Sequence, residues 1–198
     1  MPKTSARPSV RTASKSSVKS KAPSVLYPLD EFYAAAGLPL PRYSEISGEK
    51  MLEPYRSLLV HTGDMTPALE NHYRDSIHIE RLQAHNNSRG YSREVVLRLN
   101  GNERAIEYGA IKINLKLFEK KAREEIVEGK LPLGAIMREY RVAHGSRPGA
   151  YLQVQSDGVI SEALGLPKNT RVYGRRNTLI TPSGESLAEI VEILAPAL

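Results

Sequence analysis

Cysteine is absent from this chain of 198 residues. That excludes a disulfide scaffold and a thiolate metal site, and it suits a reducing compartment. No run of about eighteen apolar residues occurs, so no helical membrane span is expected, and no charged-then-apolar secretory leader is expected either. His61, His72, His78, His85 and His144 show neither the HExxH pattern nor any paired spacing, so no metal site is expected. A glycine-rich phosphate loop and a Gly-x-Ser-x-Gly elbow are also missing.

Acid is missing from one region only. Residues 1–25 hold Lys3, Arg7, Arg11, Lys15, Lys19 and Lys21 and no Asp or Glu. The whole chain has 28 basic and 22 acidic residues, so removing these six leaves 22 against 22. The body is formally neutral, and its basic pI is not the footprint of a nucleic-acid-binding face. The tail is rich in Ser, Pro and Lys and has too little apolar surface to offset the entropy of ordering. It reads as a disordered extension, with an organelle transit peptide or an anion-binding arm as alternatives. The expected location is the cytoplasm.

From residue 26 onward the chain reads as one domain. Pro39 and Pro41 punctuate its first segment, and Pro54 suits the first position of a short helix. Thr66 is placed to cap a helix with Pro67 behind it. Residues 76–85 look extended. GYSREVVLRLN and ERAIEYGAIKIN flank Asn100-Gly101, the signature of a tight hairpin. Leu115, Phe118, Ala122 and Ile126 recur at helical spacing up to Gly129. LPLGAIMREY starts a helix and passes into a strand, SEALGLP reads as a helical turn or loop, and RVYGRRNTLIT and SLAEIVEIL form a last hairpin. The expected class is α+β: a single antiparallel sheet with helices on one face.

Two strands carry charge where alternation predicts burial. In SREVVLRL, Arg93 shares a face with Val95, Leu97 and Leu99. In LAEIVEIL both faces are apolar, yet one holds Glu189 and the other Glu192. A buried charge without a partner costs several kcal/mol, so Arg93 needs an anion. That anion is Glu189, Glu192 or a ligand carboxylate; the plain alternative is an Arg–Glu pair that only ties the sheet together. Arg175 and Arg176 fall on opposite faces of their strand, one inward and one toward solvent.

The segments GDMT (63–66), SREVVL (92–97), PLG (132–134), YGRRNTL (173–179) and EILAP (192–196) resemble, in this order, the chorismate pyruvate-lyase family. The resemblance implies a cofactor-free enzyme that removes pyruvate from chorismate to leave 4-hydroxybenzoate, a monomer with an internal ligand cavity under helical flaps. It places Arg93 on the ring carboxylate and Glu192 on the ring hydroxyl as the catalytic pair. It lines the pocket with Met65, Thr66, Leu133 and Gly134, and Arg175 and Arg176 are further substrate-binding candidates. It implies a small-molecule partner and no nucleic acid. One departure stands out: a second family arginine is replaced by Ala110, with Lys112 as the nearest substitute cation. The alternative is a non-catalytic acid-binding domain, since bacterial transcription regulators use the same fold as an effector domain. Those regulators carry an N-terminal winged helix, for which the short basic tail leaves no room, so the sequence favours the enzyme.

Overall fold

The computed structural model describes residues 24–87 and 90–197. The basic tail therefore lies almost wholly outside the described residues. Seven strands, β1 (Tyr43–Ile46), β2 (Ile77–Asn87), β3 (Gly90–Leu99), β4 (Ala105–Ile113), β5 (Gly145–Gln155), β6 (Arg171–Ile180) and β7 (Ser186–Leu194), form one antiparallel sheet. Their order is β1-β5-β6-β7-β4-β3-β2. Six α-helices and two 3₁₀ turns lie among the described residues; the α-helices are α1 (Leu29–Ala35), α2 (Tyr55–Leu59), α3 (Met65–Tyr73), α4 (Lys120–Glu128), α5 (Leu133–Glu139) and α6 (Gly158–Leu164). None is long and apolar enough to cross a membrane.

The expected α+β sheet is there, but its helices are divided between two faces. Tyr108, Ala110, Val191 and Ile193 on one face pack against Leu29, Phe32 and Tyr33 of α1 and Ile160 and Leu164 of α6. The reason is visible in β4 and β7, which are apolar on both sides and so need cover on both. Asp157 ties this layer together, accepting from Ile160 N as the α6 cap and from Tyr33 Oη. On the other face, Leu58, Leu59, Met65 and Leu69 of α2 and α3 cover Leu97, Leu99, Tyr173 and Leu194. Ala122, Ile126, Leu133, Ile136 and Met137 of α4 and α5 cover Ile111, Ile113, Leu179 and Ala188. The two edges are blunted as isolated edges need to be: β1 is short, and β2 is mostly exposed and carries Glu80 and Arg81.

Three local expectations are corrected. Asn100-Gly101 does not close a two-residue turn. Residues 100–104 form a longer loop with Glu103 at φ 58°, because Asn100 N binds Ser76 O and Gly101 N binds Asp75 Oδ2. The capping position of α3 falls on Asp64, so Thr66 and Pro67 lie inside the first turn. The stretch Leu115–Leu117 is a separate 3₁₀ turn, and α4 begins only at Lys120, since Phe118 is extended at φ −112°, ψ 147°. Gly129 ends α4 at φ 73°, as expected.

Candidate ligand-binding site

Between the two apolar clusters of the α2–α5 face lies a cavity, with the sheet as its floor. The register sets the floor in three transverse rows. Arg93, Ile111, Ile190 and Asn177 form the first; Val95, Gly109, Glu192 and Arg175 the second; Leu97, Glu107, Leu194 and Tyr173 the third. The roof is the start of α3, with Asp64, Met65 and Thr66, and the start of α5, with Pro132, Leu133 and Gly134. The centre of a water-sized sphere can range over about 80 Å³ inside it.

Arg93 is 1% exposed. Its Nη2 donates to Leu131 O at 3.1 Å, while Nε and Nη1 have no partner. Burial lowers its proton affinity, the adjacent Tyr91 hydroxyl raises it by its charge and as a nearby acceptor, though too poorly aligned to satisfy Nε or Nη1, and Arg81 adds to the lowering. A guanidinium nevertheless keeps its charge, so the cavity wall carries a cation with two idle donors. Neither acid of LAEIVEIL supplies its anion. Glu192 is two strands away, about 9–10 Å across the sheet by strand spacing alone, and is held by Arg175, whose Nε donates to Glu192 Oε2 at 2.5 Å. Arg175 Nη1 also binds Leu59 O at 3.3 Å and His61 O at 3.1 Å, so this arginine is committed to holding Glu192 and the α2 end.

Glu189 faces the opposite side of the sheet. It accepts from Arg176 Nη2 at 2.9 Å and from Thr178 Oγ1 at 2.8 Å. The two acids of one strand are thus separated by the pleat: Glu189 in a half-buried ion pair, Glu192 in the cavity. Arg176 therefore does not reach the site. Neither does Lys112, which projects from the far face, donates to Glu31 Oε1 at 2.9 Å and lies over the Tyr27 ring. Ala110 packs on that far face too. The second guanidinium in the cavity wall is that of Arg175. Of the candidate side chains, the structure brings together Arg93, Glu192, Arg175, Met65, Thr66, Leu133 and Gly134 and leaves out Lys112 and Arg176.

Glu107 was not singled out in the sequence. It is 5% exposed, lines the cavity, and its Oε2 has no partner. Burial pushes its proton affinity well above the usual range and neighbouring Glu192 pushes the same way, against Arg175. The signal was present: AIEYGAIKI alternates so that Glu107 shares a face with Gly109, Ile111 and Ile113. Among the described residues no group of His, Asp or Glu is placed to hold a metal ion.

Gly109 forms the middle of the floor. A Cβ there would lie 2.4 Å from Val191 O, a backbone atom that cannot turn aside. Gly109→Ala is expected to lose about 1–3 kcal/mol, read as a lower urea midpoint at unchanged slope.

At the roof's rim, Asp64 Oδ1 faces His144 Nε2 at 3.0 Å, and Val142 O faces His144 Nδ1 at 2.8 Å. Both ring nitrogens meet acceptors, an arrangement the doubly protonated ring satisfies. Burial disfavours that charge, but the Val142 and Asp64 bonds outweigh it, and the pKa is raised above its usual 6.5. A raised folded value means that this contribution to stability is complete below the unfolded pKa and fades as pH rises through the folded one. The His144 ring signals should titrate above 6.5 by NMR, and Asp64→Asn should bring the midpoint down.

No family model matches the chain, and no curated protein matches it. Solved structures do. The effector domain of PhnF from Mycobacterium smegmatis superposes with TM-score 0.51 at 12% identity, over 67% of this chain and 88% of that one. PhnF from the same organism gives 0.51 at 10% identity, over 86% and 94%. A gene product of Staphylococcus aureus gives 0.52 at 8% identity, over 69% and 90%. The chain shares its fold with the effector domain of PhnF. At such identities the likeness is one of fold alone.

Proposed function

We propose that the chain binds a small ring-bearing carboxylic acid of the hydroxybenzoate and chorismate class in this cavity. The observation that carries the reading is Arg93, buried with two donors idle in the cavity wall. Burying an unpaired cation is costly, and a ligand carboxylate meeting both donors offsets that cost with two charge-assisted hydrogen bonds. The surrounding Val95, Leu97, Ile111 and Leu133 suit the faces of a ring. The fold likeness to an effector domain supports small-ligand binding of this kind.

The finer reading is catalysis. With the ring carboxylate on Arg93, Glu192 meets the hydroxyl-bearing end of chorismate. There it takes the proton from the carbon that carries the hydroxyl, the neighbouring C–O bond breaks, and enolpyruvate departs and is protonated to pyruvate. The ring becomes 4-hydroxybenzoate, and aromatisation drives the step. Arg175 fixes the Glu192 carboxylate for this task. What supports catalysis is a carboxylate opposite the anion anchor, while the fold likeness supports binding alone.

One assay separates the two. The protein is mixed with chorismate, pyruvate is followed by a coupled dehydrogenase, and the aromatic product by its ultraviolet spectrum. Release of pyruvate with 4-hydroxybenzoate supports the lyase. Saturable binding of 4-hydroxybenzoate without turnover leaves the binding domain. Absence of both overturns the cavity as an acid site.

A further inference from the structure

Glu107 has no part in the chemistry above, yet it is buried as deeply as Glu192 and opens on the same cavity. It sits on β4, one strand from Glu192 and one row further from Arg93. Diagonal neighbours of this kind lie about 7–8 Å apart at Cα, so two carboxyl groups converge on one end of the cavity while the guanidinium of Arg93 holds the other. Between them lies Gly109, which lines the cavity and presents no side chain to it. The two acids are unlike. Glu192 accepts from Arg175, whereas Glu107 Oε2 has no partner.

We propose that Glu107 and Glu192 act as a clamp that reads two neighbouring oxygens on the ligand, at the ring end remote from Arg93. The ligand class is then a ring carboxylic acid with oxygen substituents on adjacent carbons, para and meta to the carboxylate. This rests on the reading that a ring acid occupies the cavity. Burial and the adjacent Glu192 favour the protonated form of Glu107, which donates to one oxygen while Glu192 accepts from the other. Chorismate meets both demands, with its hydroxyl and enolpyruvyl ether on neighbouring carbons. Its product, 4-hydroxybenzoate, carries one oxygen at that end and leaves Glu107 unpaired. The clamp therefore distinguishes substrate from product by a group that the reaction removes.

The test uses calorimetric titration with two probes, 3,4-dihydroxybenzoate and 4-hydroxybenzoate, on the wild type, Glu107→Leu and Glu107→Gln. The wild type is expected to bind the dihydroxy acid about tenfold more tightly, the scale of one net hydrogen bond. Glu107→Leu should bring the two affinities within about twofold, while Glu107→Gln, which keeps a donor, should retain a preference. Circular dichroism and melting curves show that each variant is folded. Equal affinity in the wild type, or a preference that survives in Glu107→Leu, overturns the clamp and leaves the acid-binding reading intact. Failure of both probes to bind the wild type overturns both.

Discussion

Arg93→Met is expected to abolish acid binding and at the same time to raise the melting temperature. Two charge-assisted hydrogen bonds to a carboxylate are each worth about 1.5–3 kcal/mol, so their loss should weaken 4-hydroxybenzoate by about two to four orders of magnitude. Stability should move the other way. Arg93 is 1% exposed, and one backbone carbonyl is its hydrogen-bonded acceptor. Methionine has a similar reach and adapts to irregular space. Replacing buried charge with well-packed apolar atoms commonly gains about 1–4 kcal/mol, which at this size is a rise of at least a few degrees. Titration calorimetry and a thermal melt on the same sample read both effects. A variant that loses affinity and stability together would make Arg93 a structural residue and remove the main support for the ligand.

Arg175→Met should do the opposite to the fold. Arg175 is as buried as Arg93, but every contact it makes is internal: Glu192 at 2.5 Å, His61 O at 3.1 Å and Leu59 O at 3.3 Å. Its loss leaves Glu192 buried without a counter-charge and two carbonyls without a donor. Breaking one side of a buried pair typically costs about 3–5 kcal/mol, a large share of a domain's total of about 5–15 kcal/mol. The double variant Arg175→Met/Glu192→Leu removes both charges and should recover much of the loss. Denaturant midpoints for the two singles and the double give the coupling energy. An additive double variant would mean that the pair is not a unit and that Glu192 is oriented by something else.

These opposite signs bear on how much of the site could be read from residues alone. Strand periodicity placed Arg93 inward and separated Arg175 from Arg176, and both assignments hold. It also separated Glu189 from Glu192. Periodicity states which residues share a face; it does not state which face encloses a cavity. In β4 and β7 both faces are apolar, so periodicity alone does not say whether Lys112, the nearest substitute for the family arginine, or Glu107 meets the cavity; Lys112 projects toward α1, and Glu107 shares the cavity face. Only the pairing of β4 with β7, which brings together residues about eighty positions apart in the chain, decides between the two. The Asn100-Gly101 turn failed for a related reason: its backbone is engaged by Asp75 and Ser76, from a segment that local pattern does not connect to it.

The strand order places β7, the last strand, at the middle of the seven. On one side lie β6, β5 and β1; on the other β4, β3 and β2. The idle guanidinium belongs to one half, its committed counterpart to the other, and the carboxylate to the strand that joins them. A chain whose final segment has not yet docked can hold two partly built half-sheets, but it has no binding site. Long-range strand pairing of this sort is slow to form, so occupancy by an aromatic acid would report that β7 has docked between the halves, and would shield the seam where they meet.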